Sequence, residues 1–160
     1  MKIGLLSDTH GDAARTIRAA SLLKSHGVEA VIHCGDIGSQ RVLTELAGAF
    51  EPPKIPVYAV DGNVDCEDYT GAGIELCGEF ADLTLGGKRI AIAHGHDALR
   101  LHQAIASGNF DYVFTGHTHA REDRHEGRTR IINPGAVHRA AIPGVAVLDT
   151  ETGALARLDL

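Results

Sequence analysis

Tryptophan is absent from the 160-residue chain, methionine occurs once, and aromatic side chains are limited to three tyrosines and four phenylalanines. A core must therefore come from aliphatic residues and alanine. Hydrophobic residues supply 44% of the sequence, enough for a single domain spanning residues 1–160. The three cysteines, Cys34, Cys66 and Cys77, lack zinc-type spacing, and their odd number argues against a disulfide framework. No apolar run approaches the ~20 residues of a membrane span. The opening MKIGLLSDTH meets a charge at Asp8 before a signal-peptide core has formed, so a reduced, cytoplasmic setting is expected. Excess positive charge is missing too. At a formal −6 the chain has no field to gather nucleic acid, and no stable nucleic-acid or membrane partner is expected. The one basic cluster, Arg121, Arg124, Arg128 and Arg130, alternates with Glu122, Asp123 and Glu126, and reads as a solvated hairpin face.

What is present is order in the apolar residues. KIGLLS (2–7), EAVIHC (29–34) and IPVYAV (55–60) are short runs rich in strand formers. Between them, Ile17, Ala20 and Leu23 recur at helical spacing up to Gly27. A second helix carries Val42, Leu43, Leu46 and Ala47 and ends before Pro52 and Pro53. This alternation predicts parallel βαβ units. Further on, FADLTL and KRIAIAH flank Gly86-Gly87 as a hairpin. A short helix near 97–106 precedes the strand FDYVFT, and TRIINPG, GVAVLDT and ALARLDL give closely spaced strands. The expected fold is α/β: two sheets packed face to face, with helices on their outer faces.

The polar residues stand at the strand ends. Strand one leads into Ser7-Asp8-Thr9-His10-Gly11, strand two into Gly35-Asp36, and strand three into Asp61-Gly62-Asn63-Val64-Asp65. The hairpin leads into His94-Gly95-His96, and the next strand into Gly116-His117-Thr118-His119. Any one of these is ordinary turn chemistry. In α/β sheets, however, the carboxyl ends of strands face the binding crevice, where loops from five strands can converge. The set Asp8, His10, Asp36, Asn63, His94, His117 and His119 mixes oxygen and nitrogen without thiolate. That suits Mn²⁺, Fe, Zn²⁺, Ni²⁺ or Co²⁺ more than Ca²⁺. His33, inside strand two, reads as a hydrogen-bonded core residue. His26, His102, His125 and His138 fit no motif and are expected at the surface.

In these blocks the sequence resembles the calcineurin-like metallophosphoesterase superfamily, whose pattern is D-x-H, G-D, G-N-x-[DEH], a His-Gly block and G-H-x-H. With Asn133-Pro134-Gly135 the likeness reaches nearly the full chain and is nearest the short prokaryotic phosphodiesterase branch, related in fold to a retromer scaffold subunit. The resemblance implies a four-layer αββα sandwich and a dinuclear centre. Asp8, His10 and His119 would hold one ion and Asn63, His94 and His117 the other, with Asp36 bridging. Mn²⁺ is the first choice, with Ni²⁺, Co²⁺, Fe or Zn²⁺ as alternatives. Two such cations would attract an anionic phosphate to a chain of net charge −6, and would lower the pKa of water for in-line attack on phosphorus. The resemblance also allows a homodimer or homotetramer.

One position departs from the family. Many relatives carry histidine directly after the metal-binding asparagine, for substrate contact or leaving-group protonation, and Val64 cannot transfer a proton. Asp65 remains as a catalytic candidate that, by the resemblance, would orient such a histidine or the groups behind the metal ligands. His96 is either a replacement proton donor or a rim residue. The expected activity is that of a metal-dependent phosphodiesterase acting on a small phosphodiester or phosphorylated substrate. Phosphomonoesterase or nucleotide hydrolase is the alternative enzyme reading, and a protein-binding scaffold is the reading from a different class.

Overall fold

The computed structural model describes residues 1–52, 54–65, 68–71 and 73–160. Cys66 and Pro53 lie outside the described residues. In chain order the elements are β1 (Lys2–Leu6), α1 (Ala13–Ser25), β2 (Ala30–His33), α2 (Gln40–Ala49), β3 (Val57–Ala59), β4 (Glu75–Leu76) and β5 (Phe80–Leu85). They continue with β6 (Lys88–Ala93), α3 (Ala98–Ala106), β7 (Tyr112–Phe114), β8 (Glu122–Glu126), β9 (Thr129–Asn133), β10 (Gly144–Asp149) and β11 (Leu155–Asp159). They form a six-stranded sheet ordered β11-β10-β1-β2-β3-β4 and a five-stranded sheet ordered β5-β6-β7-β9-β8.

Strand alternation builds the layers, because successive side chains point to opposite faces. Ile3 and Leu5 of β1 meet Ile32, Ile90, Ile92, Phe114, Ile132 and Leu148 between the sheets. Leu6 and Val31 face outward against Ala19, Ala20 and Leu23 of α1 and Val42, Leu43 and Leu46 of α2. On the far side, Ala104 and Ile105 of α3 cover Ala91, Val113 and Ile131. Both sheets are mixed, and this is the two-sheet α/β sandwich expected from the sequence. None of the described helices is long and apolar enough to cross a membrane.

The departures from expectation are local. Ile17 is 42% exposed, because the inward stripe of α1 runs through Ala13, Thr16, Ala19, Ala20 and Leu23 instead. The Asp12 side chain caps the start of this helix by accepting the N–H of Arg15 at 2.9 Å. Strand β4 was not foreseen, since two residues cannot show a period. Cys34 and Cys77 are free thiols, and burial pushes the pKa of Cys34 up.

Strands β1, β2, β3 and β4 run parallel in the first sheet, and β6, β7 and β9 run parallel in the second. The loops leaving β1, β2, β3, β6, β7 and β9 meet at one edge of the sandwich.

Candidate metal centre

Two clusters stand at that edge. The ligand atoms of Asp8, His10 and His119 lie within 4.8 Å of one another, and so do those of Asp8, Asp36 and His94. Asp8, Asp36 and His94 are almost wholly buried. The loops come close because glycines leave room. A β-carbon on Gly62 would land on the Asp36 carboxylate, and one on Gly116 would land on the Ser7 hydroxyl. The backbone is bent to the same purpose. Asp8, His10, Asp36, His117 and His119 all have positive φ, between 46° and 66°. For residues with a side chain this conformation costs roughly 1–3 kcal/mol each, and strain of this kind gathers at functional sites.

Hydrogen-bond partners fix the protons on two of the rings. His94 Nδ1 lies 2.7 Å from the Cys34 carbonyl, which can only accept, so Nδ1 carries the hydrogen and Nε2 presents a lone pair. That bare Nε2 is 3.2 Å from Asp36 Oδ1 and 3.9 Å from Asp8 Oδ1, without an aligned hydrogen bond. His119 repeats the arrangement. Its Nδ1 donates to the Arg139 carbonyl at 3.2 Å, and its Nε2 stands 3.1 Å from Asp8 Oδ1 and 3.1 Å from His10 Nε2. Lone pairs therefore face carboxylate oxygens, and Asp8 Oδ1 is buried without a hydrogen-bond partner. Buried polar atoms are seldom left this way. A cation between them removes the conflict, so the residues fit a divalent metal.

The electrostatics show the same conflict, with His10 pushed towards neutrality while His94, between two carboxylates, draws positive charge to itself. Burial lowers the His10 pKa. Burial would also lower that of His94, but the contact with Asp36, the Cys34 carbonyl and the charges of Asp36 and Asp8 outweigh it, and the pKa is raised. Asp36 is held down to about 2: burial opposes ionisation, while His94, the Val64 N–H and His10 favour it. Asp36 turns Oδ1 towards His94 and Oδ2 towards His10, the latter at 3.7 Å, so it faces both clusters.

Asn63 and His117 are exposed beside this core. Asn63 Oδ1 and His117 Nδ1 are 3.0 Å apart, and the His117 ring centroid is 5.2 Å from that of His94. His96 lies on the rim, its ring 5.6 Å from His94 and 6.4 Å from His117. Asp65, the catalytic candidate next to Val64, lies beneath the site as a tie between loops. Its carboxylate accepts the N–H groups of Ile37, Gly38 and Gly62 and the Tyr69 hydroxyl, at 2.8–3.0 Å. It thus ties the Asp36 loop to the Asn63 loop. His33 is the buried core histidine expected: Gly35 N–H donates to Nδ1, which leaves the Nε2 hydrogen for Thr9 Oγ1.

Sequence reasoning missed two elements. Asn133, at the end of the parallel strand β9, donates from Nδ2 to the Gly116 carbonyl and to Thr118 Oγ1, and so props the loop of His117 and His119. The strand-end rule that found the other loops applies equally to it. His138 was expected on the surface away from any motif. It is half-buried, 3.2 Å from Asp12 through Nδ1, and its ring centroid is 6.4 Å from that of His10. No local pattern announces that placement.

Comparison with known proteins places these features in a family context. The profile of the calcineurin-like phosphoesterase superfamily domain matches residues 1–153. Phosphodiesterase MJ0936 of Methanocaldococcus jannaschii is 35% identical, with 94% of each chain aligned. A solved structure described as a novel archaeal phosphodiesterase superposes over 100% of both chains with a TM-score of 0.89 at 32% identity. Vacuolar protein sorting 29 from Cryptosporidium parvum shares the fold, with a TM-score of 0.70 at 20% identity over 99% of this chain and 96% of that one.

Proposed function

The chain belongs to the calcineurin-like phosphoesterase superfamily, and from that premise we propose that it is a metal-dependent phosphodiesterase with a dinuclear centre. Asp8, His10 and His119 would hold one ion, Asn63, His94 and His117 the other, and Asp36 would touch both. The observation that carries the reading is the placing of His94 Nε2 and His119 Nε2 against the Asp36 and Asp8 carboxylates, with His94 Nε2 and Asp8 Oδ1 both buried and unpartnered. Divalent ions bound there supply positive charge for an anionic phosphate and activate water for in-line attack on phosphorus. Mn²⁺ is the proposed native metal, since mixed nitrogen and oxygen donors suit it better than Mg²⁺ or Ca²⁺.

The protein's own groups do the positioning. The Cys34 and Arg139 carbonyls hold His94 and His119 in the tautomer that presents Nε2. Asp65 holds the Asp36 and Asn63 loops at fixed separation, and Asn133 does the same for the His117 loop. Val64 is 41% exposed beside the site and offers no proton. This favours diesters with good leaving groups over monoesters, and the phosphodiesterase relative, 35% identical, supports the same choice. We further propose that residues 1–160 act as one domain on a small phosphodiester.

Metal analysis of the purified protein, joined to hydrolysis of bis(4-nitrophenyl) phosphate and 4-nitrophenyl phosphate, tests the reading. Chelation should abolish hydrolysis, Mn²⁺, Ni²⁺ or Co²⁺ should restore it better than Mg²⁺, and the diester should be preferred. Full turnover by a metal-free sample would sink it.

A further inference from the structure

Six residues other than glycine have positive φ among the described residues, and five of them are proposed metal ligands. The sixth is Arg139, at 59°. Its backbone is tied to the same cluster. The Arg139 carbonyl accepts from His119 Nδ1, and the neighbouring His138 N–H donates to the Asp8 carbonyl at 3.1 Å. The left-handed turn aims that carbonyl at His119, but glycine would make the same turn without the steric cost of a side chain.

The fold makes no visible use of the Arg139 side chain. It is exposed, and no carboxylate pairs with it among the described residues, whereas Arg15, Arg89, Arg100, Arg121 and Arg130 each have a carboxylate partner. Asp12, the acid beside His138, is already engaged by Arg15 and His138. Its backbone nevertheless fixes Arg139 against the centre, with its carbonyl 3.2 Å from His119 Nδ1, so the exposed side chain stands at the rim of the same cluster. Beside Asn63 the rim offers the apolar Val64, 41% exposed.

We propose that Arg139 binds a second anionic group of the substrate, a phosphate carried on the ester arm that extends past His10 and His119. The substrate class is then a phosphodiester with one phosphorylated arm and one apolar or aromatic arm. This rests on the phosphodiesterase reading and narrows it. The reacting phosphate is served by the metal ligands, so a guanidinium at the rim is free for a further anion. Its planar fork matches phosphate with two parallel N–H bonds.

A matched pair of probes isolates the effect: 5′-phosphothymidine 3′-(4-nitrophenyl phosphate) and thymidine 3′-(4-nitrophenyl phosphate). They share the reacting diester and leaving group and differ only in the distal phosphate. The parent protein should favour the phosphorylated probe in kcat/KM by roughly tenfold or more, the scale of a hydrogen bond to a charged group. In Arg139→Ala and Arg139→Gly the ratio should fall to about one, with Arg139→Lys between. Arg139→Gly relieves the left-handed backbone, so its folding is not at risk. Calorimetry on the metal-loaded protein with thymidine 3′,5′-bisphosphate and thymidine 3′-phosphate should give the same preference and the same loss. A parent ratio near one, or a ratio that survives in Arg139→Gly, overturns the assignment. Failure to hydrolyse either diester would instead overturn the phosphodiesterase reading, and the binding ratio would then decide the role of Arg139.

Discussion

His94 Nε2 points its lone pair at Asp36 Oδ1 across 3.2 Å, while the other nitrogen of the ring is bound to the Cys34 carbonyl. The ring cannot rotate to relieve this contact without breaking a buried hydrogen bond. Asp36 cannot retreat either, because the Val64 N–H holds the same oxygen at 3.2 Å. Both groups are therefore preorganised for a cation.

Asp36→Asn tests the consequence. The amide keeps the shape, removes the charge and leaves one good donor oxygen where two are directed at separate clusters. Metal content measured by mass spectrometry should fall together with turnover, and the rate should drop by ~10²-fold or more, since even outer partners of metal ligands are worth 10–100-fold. Retention of both ions with near-normal turnover would show that Asp36 does not bridge.

Asp65→Asn should fail in a different way. An asparagine in that place would turn an N–H₂ towards backbone donors, and the loops it ties would lose charge-assisted bonds. Unfolding free energy from urea titration should fall by about 2–4 kcal/mol even in chelated protein. Rate should fall as well, through misplacement of Asp36 and Asn63. If the chelated variant is as stable as the parent, the loop-tying role is wrong.

The contrast between these two residues explains what could be read in advance. Asp36 announces itself because an apolar strand ends in Gly-Asp, a local pattern whose meaning follows from parallel topology. The other strand-end residues were legible for the same reason, as was the sandwich, whose strands carry clear runs of Val, Ile and Ala. The role of Asp65 depends on donors from residues 37, 38, 62 and 69 meeting in space, and sequence order does not reveal that. Arg139 and His138 were hidden likewise: the chain between β9 and β10 has no period, and its docking on Asp8 and His119 is long-range. Ile17 misled because helical spacing alone does not choose between neighbouring stripes.

His33 predicts a pH dependence of stability. Burial, the main cause, lowers its pKa from 6.5 to about 4. Between these values the unfolded chain takes up a proton that the folded protein refuses. Stability therefore rises with pH across that window and is lost as pH falls from 6.5 towards 4. The full effect is about 3 kcal/mol by linkage. In His33→Asn the amide oxygen keeps an acceptor for the Gly35 N–H and the titration is gone. That variant should be less stable at neutral pH yet flatter than the parent between pH 6.5 and 4. Parallel pH profiles in urea denaturation would refute the assignment.

The exposed Val64 predicts a leaving-group preference. With no proton donor at that position, an aryl diester should be cleaved faster than an alkyl one, since positioned acid catalysis contributes ~10²–10⁴-fold. Val64→His should then improve poor leaving groups selectively. One circumstance opposes a full rescue: Asp65, the natural orienter for such a ring, already accepts four hydrogen bonds. The competing donor is His96, whose Nδ1 is buried without a partner and whose ring lies beside His94 and His117. If His96 is the acid, Val64→His changes little, while His96→Ala makes the rate depend more steeply on leaving-group pKa. Rates for a series of substituted phenyl and alkyl diesters, measured for the parent and both variants, separate the two. A slope unchanged by either substitution would mean that neither position donates a proton in the rate-limiting step, and the leaving-group preference would then have to arise from binding alone.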